Sequence, residues 1–280
     1  MSVEKLITRE VRKVWGRRDI APFFPDVPAE EEKLGEIWFE RPGGKDAELL
    51  IKYLFTSEKL SVQVHPNDEQ ANAAGHARGK EEAWLILDTK PGACVGLGTE
   101  RPLDSEELRA AALDGSIEQL MDWKPVEAGQ FIYSPAGTIH AIGPGVTLVE
   151  VQQNVDLTYR LYDYGRPREL HLDEGVEVTD ARPFEIKDES RWLGDRQILT
   201  EGRKFVTERI KPAGGFGLVP AKDRPVWMTV LKGGATAEYC RAKAGEVLLF
   251  KTPAQVAVDA GTDLLLSYPG GEVVPGLIDG

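Results

Sequence analysis

Short apolar segments, each bounded by Gly, Pro, Asn or Asp, recur along almost the whole chain and leave room for little besides a strand-rich fold. They run from Glu36 to Glu40, Glu48 to Phe55, Leu60 to Val64, Ala83 to Leu87 and Gln130 to Ser134. Beyond Gly145 the rhythm continues at Val146 to Gln152, Leu157 to Tyr162, Lys204 to Ile210, Val226 to Leu231, Glu246 to Phe250 and Asp263 to Ser267. This pattern predicts a mainly β architecture of barrels or sandwiches. Helical signals are few. From Asp104 to Leu113, Asp104 and Glu107 occupy capping-box positions, and Leu108, Ala111 and Ala112 supply an apolar face before Gly115. A shorter helix is predicted from Asp68 to Ala74. The stretch from Asp173 to Asp195 is polar and irregular, contains Pro183, and is the expected junction of two halves, with a boundary near residue 180. A Gly-apolar-Pro element occurs in each half, at Gly129 to Pro135 and at Gly245 to Pro253, which points to two related barrels.

At 280 residues the chain can bury one large β core or two ordinary ones. Its 34 Lys and Arg against 46 Asp and Glu give a formal charge of -12, and no basic run concentrates positive charge, so neither nucleic acid nor an acidic membrane is an expected partner. The stretch Met1 to Leu6 does not read as a secretory signal, and a cytoplasmic protein is expected. Two cysteines, Cys94 and Cys240, cannot build a disulfide framework or a multi-thiolate zinc site, so a metal here would need His, Glu, Asp or amide ligands.

Four histidines are available: His65, His76, His140 and His171. In Leu60-Ser-Val-Gln-Val-His65, strand alternation puts Ser61, Gln63 and His65 on one face, offering an amide beside an imidazole. A solvent-facing polar edge explains that segment equally well. Gly129 to His140 has the spacing Gly-x5-Pro-x-Gly-x2-His, in which a strand and a tight turn deliver a histidine to the next strand. It resembles the second motif of the cupin superfamily, where the histidine points into a small β barrel and binds a divalent metal. Glu82 opens the apolar run Ala83 to Leu87, as a solvated strand-end charge or as a ligand. Gln63, His65, Glu82 and His140 together supply two nitrogens and two oxygens, a set that suits an open zinc site.

The segments Leu60 to Asp68, Lys80 to Trp84, Pro135 to Ala141 and Glu150 to Arg160 resemble, in order, the signatures of type I mannose-6-phosphate isomerases, and the similarity covers roughly residues 35 to 165. The resemblance is to the short bacterial form, without a long helical insertion. It implies a pair of cupin-like (jelly-roll) barrels: residues 1–180 as the metal-binding catalytic domain and 181–280 as a degenerate second barrel. It also implies one Zn²⁺ held by Gln63, His65, Glu82 and His140, and interconversion of mannose 6-phosphate with fructose 6-phosphate. Lys80, Glu150 and Arg160 match positions that line the substrate cavity, and Ser61, Arg160 and Arg166 match phosphate contacts. Lys52 interrupts the apolar run Leu49 to Phe55, where burial would lower its pKa toward a range useful in acid/base work; snorkelling from an edge strand is the alternative. Read alone, Arg160 and Arg166 also suit surface cations paired with Asp163. Glu81 departs from the Thr or Pro common in relatives. No histidine follows His171, so the second half is expected to be structural. The competing classes are a metal- or sugar-binding cupin without turnover and an iron-dependent cupin dioxygenase.

Overall fold

The computed structural model describes residues 2–27 and 31–279, so Met1 of the N-terminal stretch read above lies outside the described residues. These residues form four antiparallel sheets. The first half contributes a six-stranded sheet in the spatial order Ile7–Arg17, Leu34–Glu40, Leu49–Phe55, Val146–Gln153, Glu82–Thr89 and Phe131–Ser134. Facing it is a five-stranded sheet of Tyr159–Tyr162, Val62–Val64, His140–Ile142, Cys94–Thr99 and Met121–Pro125. The second half has a seven-stranded sheet of Val3–Lys5, Val247–Phe250, Val226–Lys232, Asp263–Pro269, Phe205–Ile210, Arg196–Glu201 and Arg191–Leu193. Its companion consists of Cys240–Lys243, Gly234–Ala237, Ala254–Val258, Phe216–Leu218 and Ile278–Asp279. Val3–Lys5 pairs with Val247–Phe250, so the start of the chain extends a sheet of the second half. No helix among the described residues is long and apolar enough to cross a membrane.

Side-chain alternation decides what each face of the six-stranded sheet meets. Leu49, Ile51, Tyr53 and Phe55 point one way, with Ile37, Phe39, Ala83, Leu85, Val149 and Val151. They pack on Leu199, Phe205, Trp227, Val247, Leu249 and Leu265 of the seven-stranded sheet, forming one core between the halves. The intervening residues point inward: Leu54, Trp84, Ile86 and Leu148 meet Val95, Leu97 and Ile142 of the five-stranded sheet. The same inward rows also carry Glu36, Lys52, Glu82 and Glu150, all buried. One end of the interior is therefore apolar and the other charged.

Several expectations need extension, since strands such as Cys94–Thr99, Met121–Pro125 and Ala254–Val258 lie outside the apolar segments read from the sequence. The segment Ile7–Arg17 is an eleven-residue strand that the apolar pattern missed, because its first residues are exposed and polar. The stretch expected to be irregular from Asp173 holds a helix, Leu172–Val178, which buries Gly175 and Val176 against the back of the five-stranded sheet. Of the other three helices among the described residues, the short Ile117–Leu120 is unexpected and two fall close to expectation. Ser105–Asp114 is capped by Asp104, whose side chain accepts from Glu107 N, but Glu107 turns its carboxylate to Arg101 instead of closing a capping box. Asp68–Ala73 does have the reciprocal box, between Asn67 and Gln70. In the second half, Arg196 bonds Glu208 through Nε at 2.7 Å and a terminal nitrogen at 2.6 Å, and Tyr268 donates to the same carboxylate. Glu208 is fully buried and fully partnered, as a buried charge must be.

Because one apolar cluster joins the two halves, they are expected to melt together. Leu249→Ala, at a side chain 1% exposed, should cost about 2–5 kcal/mol. Calorimetry should show a single transition shifted down; two separated transitions in the variant would show that the halves unfold independently.

Candidate active site

Three strands of the first half bring the ligand-type residues together. His140 pairs with Gln63 across Val62–Val64 and His140–Ile142, and Gln63 pairs on its other side with Arg160. Glu82 arrives from the facing sheet, and its strand places it opposite Gln152. The result is a group of His65, Glu82 and His140, all buried, whose candidate ligand atoms lie within 4.8 Å of one another. His65 Nε2 is 3.2 Å from one Glu82 oxygen and His140 Nε2 is 3.5 Å from the other. His140 Nδ1 lies 2.9 Å from the Thr138 carbonyl oxygen, which leaves Nε2 to face the centre. Gln63 sets its amide nitrogen 3.3 Å from His140 Nε2 while Ser61 Oγ donates to its carbonyl oxygen at 3.1 Å.

The donor set fits a zinc ion. Neither buried oxygen of Glu82 accepts a hydrogen bond, and the neighbouring positive group is Lys80 Nζ, 2.8 Å from one of them. A carboxylate withdrawn from water with such sparse compensation is costly unless a cation shares it. Burial would raise the Glu82 carboxyl, but the charge of Lys80 holds it well below the ordinary range. Burial, with Lys80 adding to it, lowers His65 to about 3, and burial likewise lowers His140. Both imidazoles are therefore neutral at ordinary pH, the form that ligates metal. Gln63 can join only through its carbonyl oxygen, which requires its amide to turn.

A cleft of about 210 Å³ reaches this group at Glu82 and is lined also by Lys52, Ser61, Gln63, Lys80, Glu150 and Arg160. Lys52, Glu150 and Trp84 sit in one cross-strand row. Lys52 Nζ is 3.1 Å from one Glu150 oxygen and 3.8 Å from Glu36, and it stands over the Trp38 ring. Trp84 Nε1 donates to the other Glu150 oxygen at 3.1 Å. The expectation that burial lowers the Lys52 pKa is corrected here. Burial does push it down, but Glu150 and Glu36 outweigh burial and leave it raised. Snorkelling is also excluded, since the side chain is only 7% exposed. Glu150 itself is raised, by burial first and by the Glu82 charge second.

The arginines divide differently from expectation. Arg160 lines the cleft; one terminal nitrogen donates to the Glu169 carbonyl at 2.7 Å, and its buried Nε has no hydrogen-bond partner. Burial and then the charge of Arg168 lower its pKa. Arg166 is not among the cleft-lining residues. It donates to the Lys59 carbonyl at 2.8 Å and to Asp163 at 3.3 Å, the pairing its local charge pattern allowed. Arg168, two residues on, lines the cleft instead. Sequence reasoning also missed Lys13, Glu36, Trp38, Asp156 and Thr158 in the lining. Glu36 carries the signal that drew attention to Lys52, a charge inside an apolar run, whereas nothing local marks Arg168. His76 and His171 stand outside the metal-capable group.

A mainly β protein with paired antiparallel sheets and a His/Glu/His centre at one end of their interior is a metal-binding protein of the cupin class. Over 220 residues the chain is 35% identical to mannose-6-phosphate isomerase ManA of Bacillus subtilis (strain 168), an alignment spanning 65% of this chain and 70% of that one. It thus belongs to the mannose-6-phosphate isomerase family. The crystal structure of the mannose 6-phosphate isomerase from Bacillus subtilis superposes with a TM-score of 0.81 at 25% identity, covering 95% of this chain and 99% of the other. A zinc-bound holo mannose 6-phosphate isomerase shares the fold, with a TM-score of 0.71 at 15% identity over 96% of this chain and 100% of that one. No family model matches the chain.

Purified protein should carry about one zinc ion per chain, lose it to a chelator and regain it on addition of zinc. Elemental analysis should find His140→Ala largely depleted and both His76→Ala and His171→Ala replete. Full zinc content in His140→Ala would move the metal elsewhere.

Proposed function

We propose that this protein is a zinc-dependent aldose-ketose isomerase that interconverts mannose 6-phosphate and fructose 6-phosphate in the cleft above Glu82. The observation that carries the reading is the Glu82 carboxylate, which accepts no hydrogen bond and has Lys80 as its ion-pair partner, set between two neutral imidazoles and lining a cleft that also holds Lys52, Lys80, Glu150 and Arg160. Gln63, His65, Glu82 and His140 would hold the ion. When bound, zinc supplies a Lewis acid that polarises or orients the two sugar oxygens whose roles exchange.

Glu150 is our candidate for moving the proton between adjacent carbons. Its raised pKa brings it toward the range in which a carboxyl can both take and return a proton. Lys52 and the Trp84 indole hold one oxygen each, which orients the carboxyl without removing it from the cleft. Lys52 stays protonated between Glu150 and Glu36 and so acts as a fixed positive charge. Lys80, beside both Glu82 and His65, keeps a second positive charge close to the sugar oxygens. Arg160, which lines the cleft, offers its guanidinium charge to the charge that develops on the enediolate. Ser61 and Arg168 are the candidates for the phosphate, and Arg166 acts one layer back, through its bonds to Asp163 and Lys59.

A coupled assay with mannose 6-phosphate on the zinc-loaded protein tests the reading directly; no turnover would refute it. With zinc content checked in each variant, Glu150→Gln should lose roughly 10²-fold or more in kcat, the scale of a removed general acid/base. Arg160→Lys, which keeps the charge but not the fork, should fall by about 10²-fold in kcat. Arg168→Ala should chiefly raise KM, because phosphate is charged alike before and during the reaction. A KM increase confined to Arg166→Ala would return the phosphate role to that residue.

A further inference from the structure

Alternation along Gly79 to Glu82 sends Lys80 and Glu82 into the cleft and leaves Glu81 pointing the other way, toward the second half. There the Glu81 side chain is only 2% exposed. One of its oxygens lies 3.0 Å from an Arg203 terminal nitrogen, and the other accepts from the Tyr133 hydroxyl. Tyr133 OH in turn accepts from Arg203 N at 3.1 Å. The adjoining Gly202 passes so close to the Tyr133 ring that a Cβ there would lie 2.5 Å from it, so no larger residue fits without displacing the ring. The next residue, Lys204, reaches back to the same segment by a second route. Its Nζ is 2.6 Å from Asp68, and Asp68 accepts from Gly79 N at 2.8 Å and from the Gln153 amide at 2.9 Å. Gln153 closes the circuit by accepting from Glu81 N at 3.1 Å. Gly79 is pressed against the Pro66 to Asp68 backbone, where a Cβ would come within 2.4 Å of Asn67. The segment carrying Lys80 and Glu82 is therefore fastened on both of its outward-facing residues, and the fastenings converge on the turn at Gly202 to Lys204.

We propose that Arg203 and Lys204, in the half of the chain whose described residues hold no metal-capable group, are positioning residues for the metal centre, holding through Glu81 and Asp68 the strand start that presents Lys80 and Glu82. The proposal rests on the zinc site described above and extends it. A ligand carboxylate keeps a fixed direction only when the backbone beneath it is fixed, and supporting contacts of this kind commonly govern metal affinity. It also accounts for Glu81, whose negative charge beside a ligand glutamate has no use within the cleft and does have one outside it. Arg203 and Lys204 are 64% and 34% exposed, so removing their charges leaves the cores untouched.

The experiment compares Arg203→Ala/Lys204→Ala with the wild type and with Arg209→Ala, which removes a second-half ion pair to Asp263 remote from this contact. Zinc affinity is read by competition with a chromogenic chelator, alongside Tm, kcat and KM. The double variant should bind zinc about tenfold more weakly. Its kcat should fall while KM stays within about twofold, and Arg203→Lys/Lys204→Arg should recover most of the loss. Arg209→Ala should lower Tm and leave zinc affinity and kcat unchanged. If the double variant loses Tm as Arg209→Ala does while keeping wild-type zinc affinity, the contact is only structural and the proposal is overturned. Because zinc affinity is read without turnover, an inactive wild type would count against the isomerase reading alone.

Discussion

Both faces of the central strands of the six-stranded sheet, Leu34–Glu40, Leu49–Phe55 and Val146–Gln153, are buried, and this constraint governs the molecule. On one face the strands meet the seven-stranded sheet of the second half, so the residues there are apolar without exception from Leu49 to Phe55 at every second position. On the other face they close the interior of the first half, where Leu54, Trp84 and Leu148 are followed along the same rows by Lys52, Glu82 and Glu150. Charges in such a place cannot turn to water. Each must find a partner of opposite sign or a hydrogen-bond donor, or shift its protonation. Lys52 meets both Glu150 and Glu36, and Lys80 meets Glu82.

The electrostatics of the cleft follow from that pairing. The chain as a whole carries a formal charge of -12, yet the cleft sets five cations, Lys13, Lys52, Lys80, Arg160 and Arg168, against Glu36, Glu82, Glu150 and Asp156. An acidic surface thus surrounds a site whose own charge is balanced toward the positive before any metal is added. Where the side chains are buried, as at Lys52, Lys80, Glu36, Glu82 and Glu150, these charges interact more strongly than they would at the surface, which suits a reaction whose demanding step is the build-up of negative charge on oxygen. The same closeness separates the duties of neighbouring groups: the charge of Lys80 depresses Glu82 into a ligand, while the charge of Glu82 helps to raise Glu150.

The second half, also built of two antiparallel sheets, holds no metal-capable group among its described residues. Its interior charge, Glu208, is consumed by Arg196 and Tyr268, and the surrounding residues are apolar. The second half bears on the site through its outer surfaces, by the shared core around Trp227 and Leu249 and by the polar turn at Gly202 to Lys204.

Much of this is written in local sequence. Alternation and turn residues mark the strands from Leu34 to Val151 because a half-buried strand must repeat every two residues, and the Gly-x5-Pro-x-Gly-x2-His spacing delivers His140 because a tight turn tolerates few alternatives. The sequence singles out His65, Glu82 and His140 as ligand-type side chains next to apolar runs, and the three form one buried group, whereas Gln63 is singled out through the family resemblance. Ile7–Arg17 was not legible, because its pairing with Leu34–Glu40 leaves one face in solvent and no apolar period. Tertiary structure alone decided that Lys52 is raised and not lowered, since burial acts on any lysine in such a run but Glu36 and Glu150 arrive from strands distant in sequence. It alone exchanged Arg166 for Arg168 in the cleft, because Asp163 bonds both and the turn between them determines which one faces inward. It alone gave Glu81 a partner. Local sequence sets which face a side chain occupies, through the geometry of one strand; what waits on that face is set by chain segments a hundred residues away, through packing that no single strand encodes.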